Sequence, residues 1–134
     1  MHEYNNTLED LHLFVGNIFG NIALMTAYEQ GEEWLDQMLE YLQGNIDLVS
    51  DFLKEKLPKI KMQKPEGTYL VWLDFREYNL TQKELNDLLI NKANLGFNSG
   101  DVFGKTGKGF QRMNLACSRK IVREALESLE QAFK

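Results

Sequence analysis

Cysteine occurs once, histidine twice and proline twice in this chain, and each scarcity excludes a class of chemistry. A single thiol, Cys117, forbids an intrachain disulfide and any metal cage of several cysteines. With neither histidine nearby in sequence, Cys117 reads as a small, partly buried residue ahead of a helix rather than a nucleophile. His2 and His12 lie ten residues apart, so no histidine metal pair is expected. No run approaches the roughly 18 apolar residues that a membrane span needs. The opening Met1-His2-Glu3-Tyr4 is not a basic region followed by an apolar stretch, so no membrane partner is expected and the cytoplasm is the expected compartment.

What is present is an ordinary globular composition: 134 residues, 43% hydrophobic, 26% charged, net charge −5. Nucleic-acid affinity comes from clustered Lys and Arg neutralising phosphates. Here the basic residues are scattered among acids, so no nucleic-acid partner is expected. A chain of this length buries roughly two-thirds of its extended surface on folding, which suits one core.

The hydrophobic periodicity predicts an α+β fold. About Thr7 to Tyr28, helical spacing broken by Gly16 and Gly20 predicts a short helix, a loop at Val15-Gly16-Asn17, and a second helix through Ile22, Ala23, Met25 and Thr26. From Gly31, the stripe Leu35, Met38, Leu42, Ile46, Val49, Phe52 and Leu53 predicts one long helix of roughly 25 residues, stopped by Pro58. Such a helix can connect two domains or serve as an ordinary core helix. Ile60 and Met62 alternate with lysines as in an edge strand. Pro65-Glu66-Gly67 reads as a turn, with Gly67 free to take positive φ.

Thr68 to Phe75 is β-branched and aromatic, predicting a central strand covered on both faces, with Tyr69, Trp72 and Phe75 as core rather than a ring-stacking platform. Thr81-Gln82-Lys83-Glu84 is a capping box opening a helix with Leu85, Leu88 and Leu89 on one stripe. A short strand near Leu95 to Phe97, a glycine-rich loop from Asn98 to Gly109 and a strand from Phe110 to Ala116 follow. A final helix capped by Ser118 carries Val122, Ala125, Leu126, Leu129 and Phe133 toward the core. The expected architecture is a small, mainly antiparallel sheet with helices packed on it and a long N-terminal connecting helix.

Two places invite chemistry. Gly104-Lys105-Thr106 looks like the end of a phosphate-binding P-loop, but the glycine that motif needs upstream is Ser99. Gly107, Lys108 and Gly109 also break the helix whose N-terminus would supply the anion site. The second place is Arg112. In an extended strand Phe110, Arg112 and Asn114 share one face and Gln111, Met113 and Leu115 the other. An arginine within an apolar strand needs an anion or solvent. Its fork suits an amino acid's carboxylate as well as a structural salt bridge, and spacing leaves both open.

Four stretches carry a family resemblance: Asn17-Ile18-Phe19-Gly20, Gly31-Glu32-Glu33-Trp34-Leu35, Pro65-Glu66-Gly67-Thr68-Tyr69-Leu70-Val71-Trp72-Leu73-Asp74-Phe75 and Gly109-Phe110-Gln111-Arg112-Met113-Asn114. From about Asn17 onward the chain resembles fold-type I enzymes dependent on pyridoxal 5′-phosphate (PLP). It is most similar to the cystathionine β-lyase-like carbon–sulfur lyases catalogued with class I and II aminotransferases. The resemblance implies that residues 1–30 are a remnant of a large domain and that 31–134 are the small C-terminal domain, with Arg112 binding the substrate α-carboxylate. Asn17 and Asn114 would lie in the vicinity of cofactor or substrate.

The resemblance further implies PLP as the parent enzyme's cofactor, a small amino acid as its substrate and a homodimer as its assembly. The chemistry would be β-elimination or amino transfer, with PLP taking up electrons when the α-proton leaves. The family's Schiff-base lysine lies in a Ser-x-x-Lys-like stretch, which these 134 residues do not contain. The chain alone is therefore expected to be inactive and to bind no PLP by itself. Val15-Gly16 replaces the Ser-Pro that usually precedes the match to Asn17, which removes any expected phosphate contact there. The alternative from another class is a free-standing, non-catalytic binding or interaction domain of the same fold. Under either reading, apolar surface left uncovered predicts self-association.

Overall fold

The structure, a computed structural model, describes residues 2–12 and 17–134. The expected loop at Val15-Gly16 lies outside the described residues. The chain divides into two compact units, Met1–Leu39 and Glu40–Lys134.

The first unit is helical. Helix α1 covers His2–Asp10, with the Thr7 hydroxyl donating to the Glu3 carbonyl at 2.8 Å. Helix α2 covers Ile18–Gln30. Asn17 caps it by accepting from the Gly20 amide at 2.6 Å, and Gly31 closes it by donating to the Ala27 carbonyl at 2.9 Å. No residue of α2 is buried, and Ile18, Phe19, Ile22, Leu24, Met25 and Tyr28 are all exposed.

Helix α3, Glu32–Lys56, has the expected 25 residues. Acids stand in its first turn (Glu32, Glu33) and lysines in its last (Lys54, Lys56), complementing the helix dipole at both ends. Its apolar stripe has two fates: Leu35 and Leu39 are exposed, whereas Ile46, Val49 and Leu53 are buried in the second unit.

The second unit adds strands β1 (Lys61–Met62), β2 (Leu70–Asp74), β3 (Asn98–Ser99) and β4 (Phe110–Asn114), with helices α4 (Gln82–Asn91) and α5 (Arg119–Phe133). The element order is the predicted one. All pairings are antiparallel, in the order β1-β2-β4-β3, so the Ile60–Met62 segment does form an edge.

One face of the sheet carries the core. Val71, Leu73, Met113 and Leu115 pack with Ile46, Val49 and Leu53 of α3, Leu85 and Leu89 of α4, and Val122, Leu126 and Leu129 of α5. Ala125 and Phe133 pack at its margin, completing the predicted α5 stripe, while Leu88 of α4 is only half-buried. Both predicted caps form. Thr81 accepts from the Glu84 amide as the Glu84 carboxylate accepts from the Thr81 amide at 2.8 Å, and the Ser118 hydroxyl accepts from the Ile121 amide.

A buried polar clamp fastens α3 to the turn after β4. Asn45 donates to the carbonyls of Leu115 (3.0 Å) and Cys117 (3.1 Å) and accepts from Arg119 Nε (3.0 Å). The Arg119 guanidinium also lies 4.6 Å over the Tyr41 ring.

Five expectations need correction. The strand at Thr68–Phe75 is not covered on both faces: Val71 and Leu73 are buried, but Trp72 is 39% exposed. Of the three aromatic residues read as core, only Phe75 is buried: Trp72 lies on the β2 face opposite Val71 and Leu73, and Tyr69 precedes the strand and is 43% exposed. Positive φ falls on Thr68 (φ 68), not Gly67, and β2 begins after it at Leu70. The strand expected near Leu95–Phe97 forms instead at Asn98–Ser99, since the Leu95 amide donates back to the Leu89 carbonyl and completes the end of α4. β4 stops at Asn114 rather than Ala116 because the Asn114 side chain accepts the Ala116 amide at 2.8 Å and turns the backbone out of the ladder.

Candidate functional site

The alternation of β4 sorts its side chains as the sequence predicts. Gln111, Met113 and Leu115 are buried beneath the helices, while Phe110, Arg112 and Asn114 stand on the outer face. Register then supplies neighbours that spacing cannot. Arg112 lies opposite Trp72 of β2 on one side and Asn98 of β3 on the other. The Asn98 side-chain oxygen accepts from Arg112 Nη2 at 3.0 Å. The Arg112 guanidinium carbon lies 4.6 Å from the centroid of the Phe103 ring.

No ion pair among the described residues includes Arg112. Its Nε–H is the one buried side-chain donor among them without a hydrogen-bond partner. A buried orphan donor on a cation is costly to keep, so the arrangement calls for an acceptor these residues do not provide. The salt-bridge reading left open by spacing therefore has no partner here.

Aromatic rings continue across the face. Trp72 meets Phe103 edge-on (5.2 Å between centroids, 81°) and Phe110 likewise (6.4 Å, 80°). Trp72, Phe103, Thr106, Gly107 and Phe110 enclose a cleft of about 240 Å³. A wider groove of about 630 Å³ runs toward β1, between Lys61, Lys64, Glu66, Trp72, Arg76 and Phe110. At its far end Arg76 lies 4.6 Å over Phe110 and grips Asp74 with two parallel hydrogen bonds of 2.9 and 2.7 Å. Those bonds hold the Asp74 carboxyl below its ordinary pKa, against the opposing effect of burial. The groove's other cations are paired too, Lys61 with Glu77 and Lys64 with Asp47. Among the basic side chains lining the outer face, Arg112 stands apart in having only neutral partners.

The glycine-rich loop is built to return on itself. Gln82 of α4 donates to the Ser99 hydroxyl (2.7 Å) and accepts from the Gly109 amide (2.7 Å), tying both ends to one side chain. Asn86 accepts from buried Gln111 at 2.6 Å and bonds the same Ser99 hydroxyl. Between these ties Gly100 and Gly107 touch backbone to backbone, so closely that a Cβ on either would run into the other's carbonyl. Lys105–Gly107 forms a single 3-10 turn and leads into β4, so no helix N-terminus follows Gly104-Lys105-Thr106.

The other sequence-predicted residues are placed differently. Asn114 is exposed on the Arg112 face, but its side-chain oxygen is taken by Ala116. Asn17 belongs to the first unit and its oxygen caps α2, so it is committed locally. Cys117 is half-buried with a free thiol ahead of α5. No group of three or more potential metal ligands occurs among the described residues. No helix among them is long and apolar enough to cross a membrane. Sequence reasoning missed Asn98 and Phe103, and took Trp72 for core. The available signal was an aromatic residue set between glycines of a loop tested only as a phosphate cradle.

Known proteins share this sequence and fold. The family model for aminotransferase class I and II matches residues 15–129. The chain is 36% identical over 117 residues to the cystathionine β-lyase PatB of Bacillus subtilis, covering 87% of this chain and 30% of PatB. A PLP-bound protein from Clostridium difficile 630 described as an aminotransferase superposes with a TM-score of 0.92 at 39% identity, over 97% of this chain and 34% of that one. Cystalysin from Treponema denticola, which contains a pyridoxal 5′-phosphate cofactor, superposes with a TM-score of 0.83 at 36% identity, over 87% of this chain and 29% of that one. The chain thus spans about a third of the length of each of these relatives. Its fold and these matches lead to one conclusion: the chain belongs to the aminotransferase class I and II family, in the company of cystathionine β-lyases.

Proposed function

We propose that residues 31–134 are the small C-terminal domain of a PLP-dependent carbon–sulfur lyase or aminotransferase, that 1–30 are a piece of its large domain, and that Arg112 grips the α-carboxylate of an amino-acid substrate. The observation that carries this reading is the state of Arg112: a cation on an open sheet face, braced by neutral groups, with an orphaned Nε–H and no ion pair among the described residues.

An anion arriving there meets a planar fork that can donate two parallel hydrogen bonds, fixing both position and rotation. Holding the carboxylate still presents the neighbouring α-carbon in one orientation, which is the step on which effective molarity depends. Trp72, Phe103 and Phe110 offer an apolar wall beside it. PLP, when bound in the parent, supplies the electron sink for the carbanion left by α-proton removal. Arg112 fits the carboxylate of an amino acid presented to such a cofactor. No described residue is assigned to hold PLP itself, since the Asn17 oxygen is used within α2. The 134 residues alone are accordingly expected to grip a carboxylate without turnover.

The exposed apolar residues of α2 support the fragment reading over a free-standing domain, because a helix apolar all round is normally covered by more protein.

The test is a titration of the ¹⁵N-labelled chain followed at the arginine Nε–H signals. Propionate should shift the Arg112 signal, and propionamide should not. Arg112→Lys should weaken propionate binding roughly 10- to 100-fold, the worth of a charged bidentate contact. Equal binding by the lysine variant, or no shift with propionate in the wild-type chain, would remove the carboxylate assignment. Mixing the chain with PLP should give no lysine-linked absorbance and no β-elimination from cystathionine.

A further inference from the structure

We infer that Phe103 is a positioning residue for Arg112, assisted by Asn98, and that the glycine-rich loop serves to lay its ring on the guanidinium. The inference rests on the carboxylate reading of Arg112 and adds what makes that side chain fit for it.

A long arginine side chain on an open face has rotamer freedom that binding must remove, and every angle fixed beforehand reduces that cost. A carboxylate partner would fix the fork, but it would also compete with the ligand for the same donors. The structure uses two neutral restraints instead. Asn98, the cross-strand neighbour, takes Nη2 at 3.0 Å, and Phe103 lies against the guanidinium with 4.6 Å between its centroid and Cζ. An aromatic face attracts the cation and prefers its plane while leaving the N–H edge free. The charge stays unneutralised, and the orientation is set.

Phe103 is itself braced. The edge of Trp72, the residue paired with Arg112 across β2 and β4, meets it at 5.2 Å and 81°. Its backbone is placed by the loop's neck: Gly100 and Gly107 in contact, with Ser99 and Gly109 tied to Gln82 of α4. The tie runs from a core helix to the lobe that carries the ring, so the stack inherits the rigidity of the packed side. This gives the glycines between Asn98 and Gly109 a function that phosphate binding does not: they permit a lobe small enough to reach back over β4.

Phe103→Leu, Phe103→Tyr and Asn98→Ala chains test the inference by two readouts. The first is the order of the Arg112 side chain, from the Nε–H heteronuclear NOE and the ring-current shift of its Cδ protons. The second is the propionate dissociation constant. Phe103→Leu should abolish the ring-current shift, lower the NOE and weaken propionate roughly 3- to 10-fold. Phe103→Tyr should restore all three to within about 2-fold of wild type, since tyrosine keeps the π face. Should the leucine variant not fold, Asn98→Ala, which removes only the Nη2 acceptor, should lower the NOE with the ring in place. An unchanged Arg112 NOE and unchanged propionate affinity in these variants overturns the inference even where Arg112→Lys has destroyed binding. Conversely, if the wild-type chain binds no propionate, the carboxylate reading falls and the NOE and ring-current shift alone decide whether Phe103 orders Arg112.

Discussion

The two faces of strand β4 share five residues and almost nothing else. Inward, Gln111, Met113 and the following Leu115 are sealed by three helices, with the Gln111 amide donating to Asn86. Outward, Phe110, Arg112 and Asn114 meet solvent and one another, with a charge left unneutralised and a donor unused. The contrast teaches where each kind of free energy resides. The inner face holds the fold, through burial and satisfied hydrogen bonds. The outer face gives up that stabilisation and keeps groups ready for something else, so changes on the two faces should have separable effects.

The sharpest way to break the distinction is to hollow the inner face. Leu115 is fully buried, and Leu115→Ala should cost about 2–5 kcal/mol by urea unfolding, from lost transfer energy plus the cavity left behind. Arg112→Lys on the other face should change the same unfolding free energy by less than about 0.5 kcal/mol, as for other surface substitutions. A large loss with Arg112→Lys would mean that the outer face is structural after all.

A smaller effect tests the helices that cover the inner face. Thr81→Ala removes one half of the α4 capping box and should cost about 1 kcal/mol in the same assay, leaving propionate binding by Arg112 unchanged. Loss of binding with that substitution would show that the loop tied to α4 transmits more than position.

The smallest effect belongs to the outer face and reads out with pH. The two Arg76 hydrogen bonds depress the Asp74 carboxyl in the folded chain below its unfolded value. Its contribution to stability is therefore present above the unfolded pKa of about 3.9 and disappears as pH falls through the lower folded value. Asp74→Asn should flatten that acid limb in urea midpoints taken from about pH 6 down to about pH 2.5. An unchanged limb would assign the acid sensitivity to another carboxyl, with Glu84, depressed by Thr81, as the next to change.

Much of this was legible in the residues. Alternation is local, so Phe110 to Leu115 disclosed which side chains share a face before any partner was known. Caps are local too: Thr81 with Glu84, and Ser118 ahead of Ile121, each satisfy amides within one turn. Register is not local. That Arg112 stands between Trp72 and Asn98 depends on how three distant segments align, and hydrophobic pattern alone left Trp72 as a core residue. The strand expected at Leu95–Phe97 failed for a related reason, since its apolar residues finish α4 and the pairing begins one residue later, at Asn98. The aromatic stack on Arg112 was invisible because it depends on a loop fold fixed by glycine contacts, which composition marks only as permissive.

The contact between Gly100 and Gly107 has a consequence for how this segment can vary. Two positions seven apart admit no side chain, while Asp101, Val102, Lys105 and Thr106 between them are exposed. The lobe is thus a noose with a fixed knot and a free bight: its rim can be rewritten, whereas a side chain at either knot position would force the neck apart.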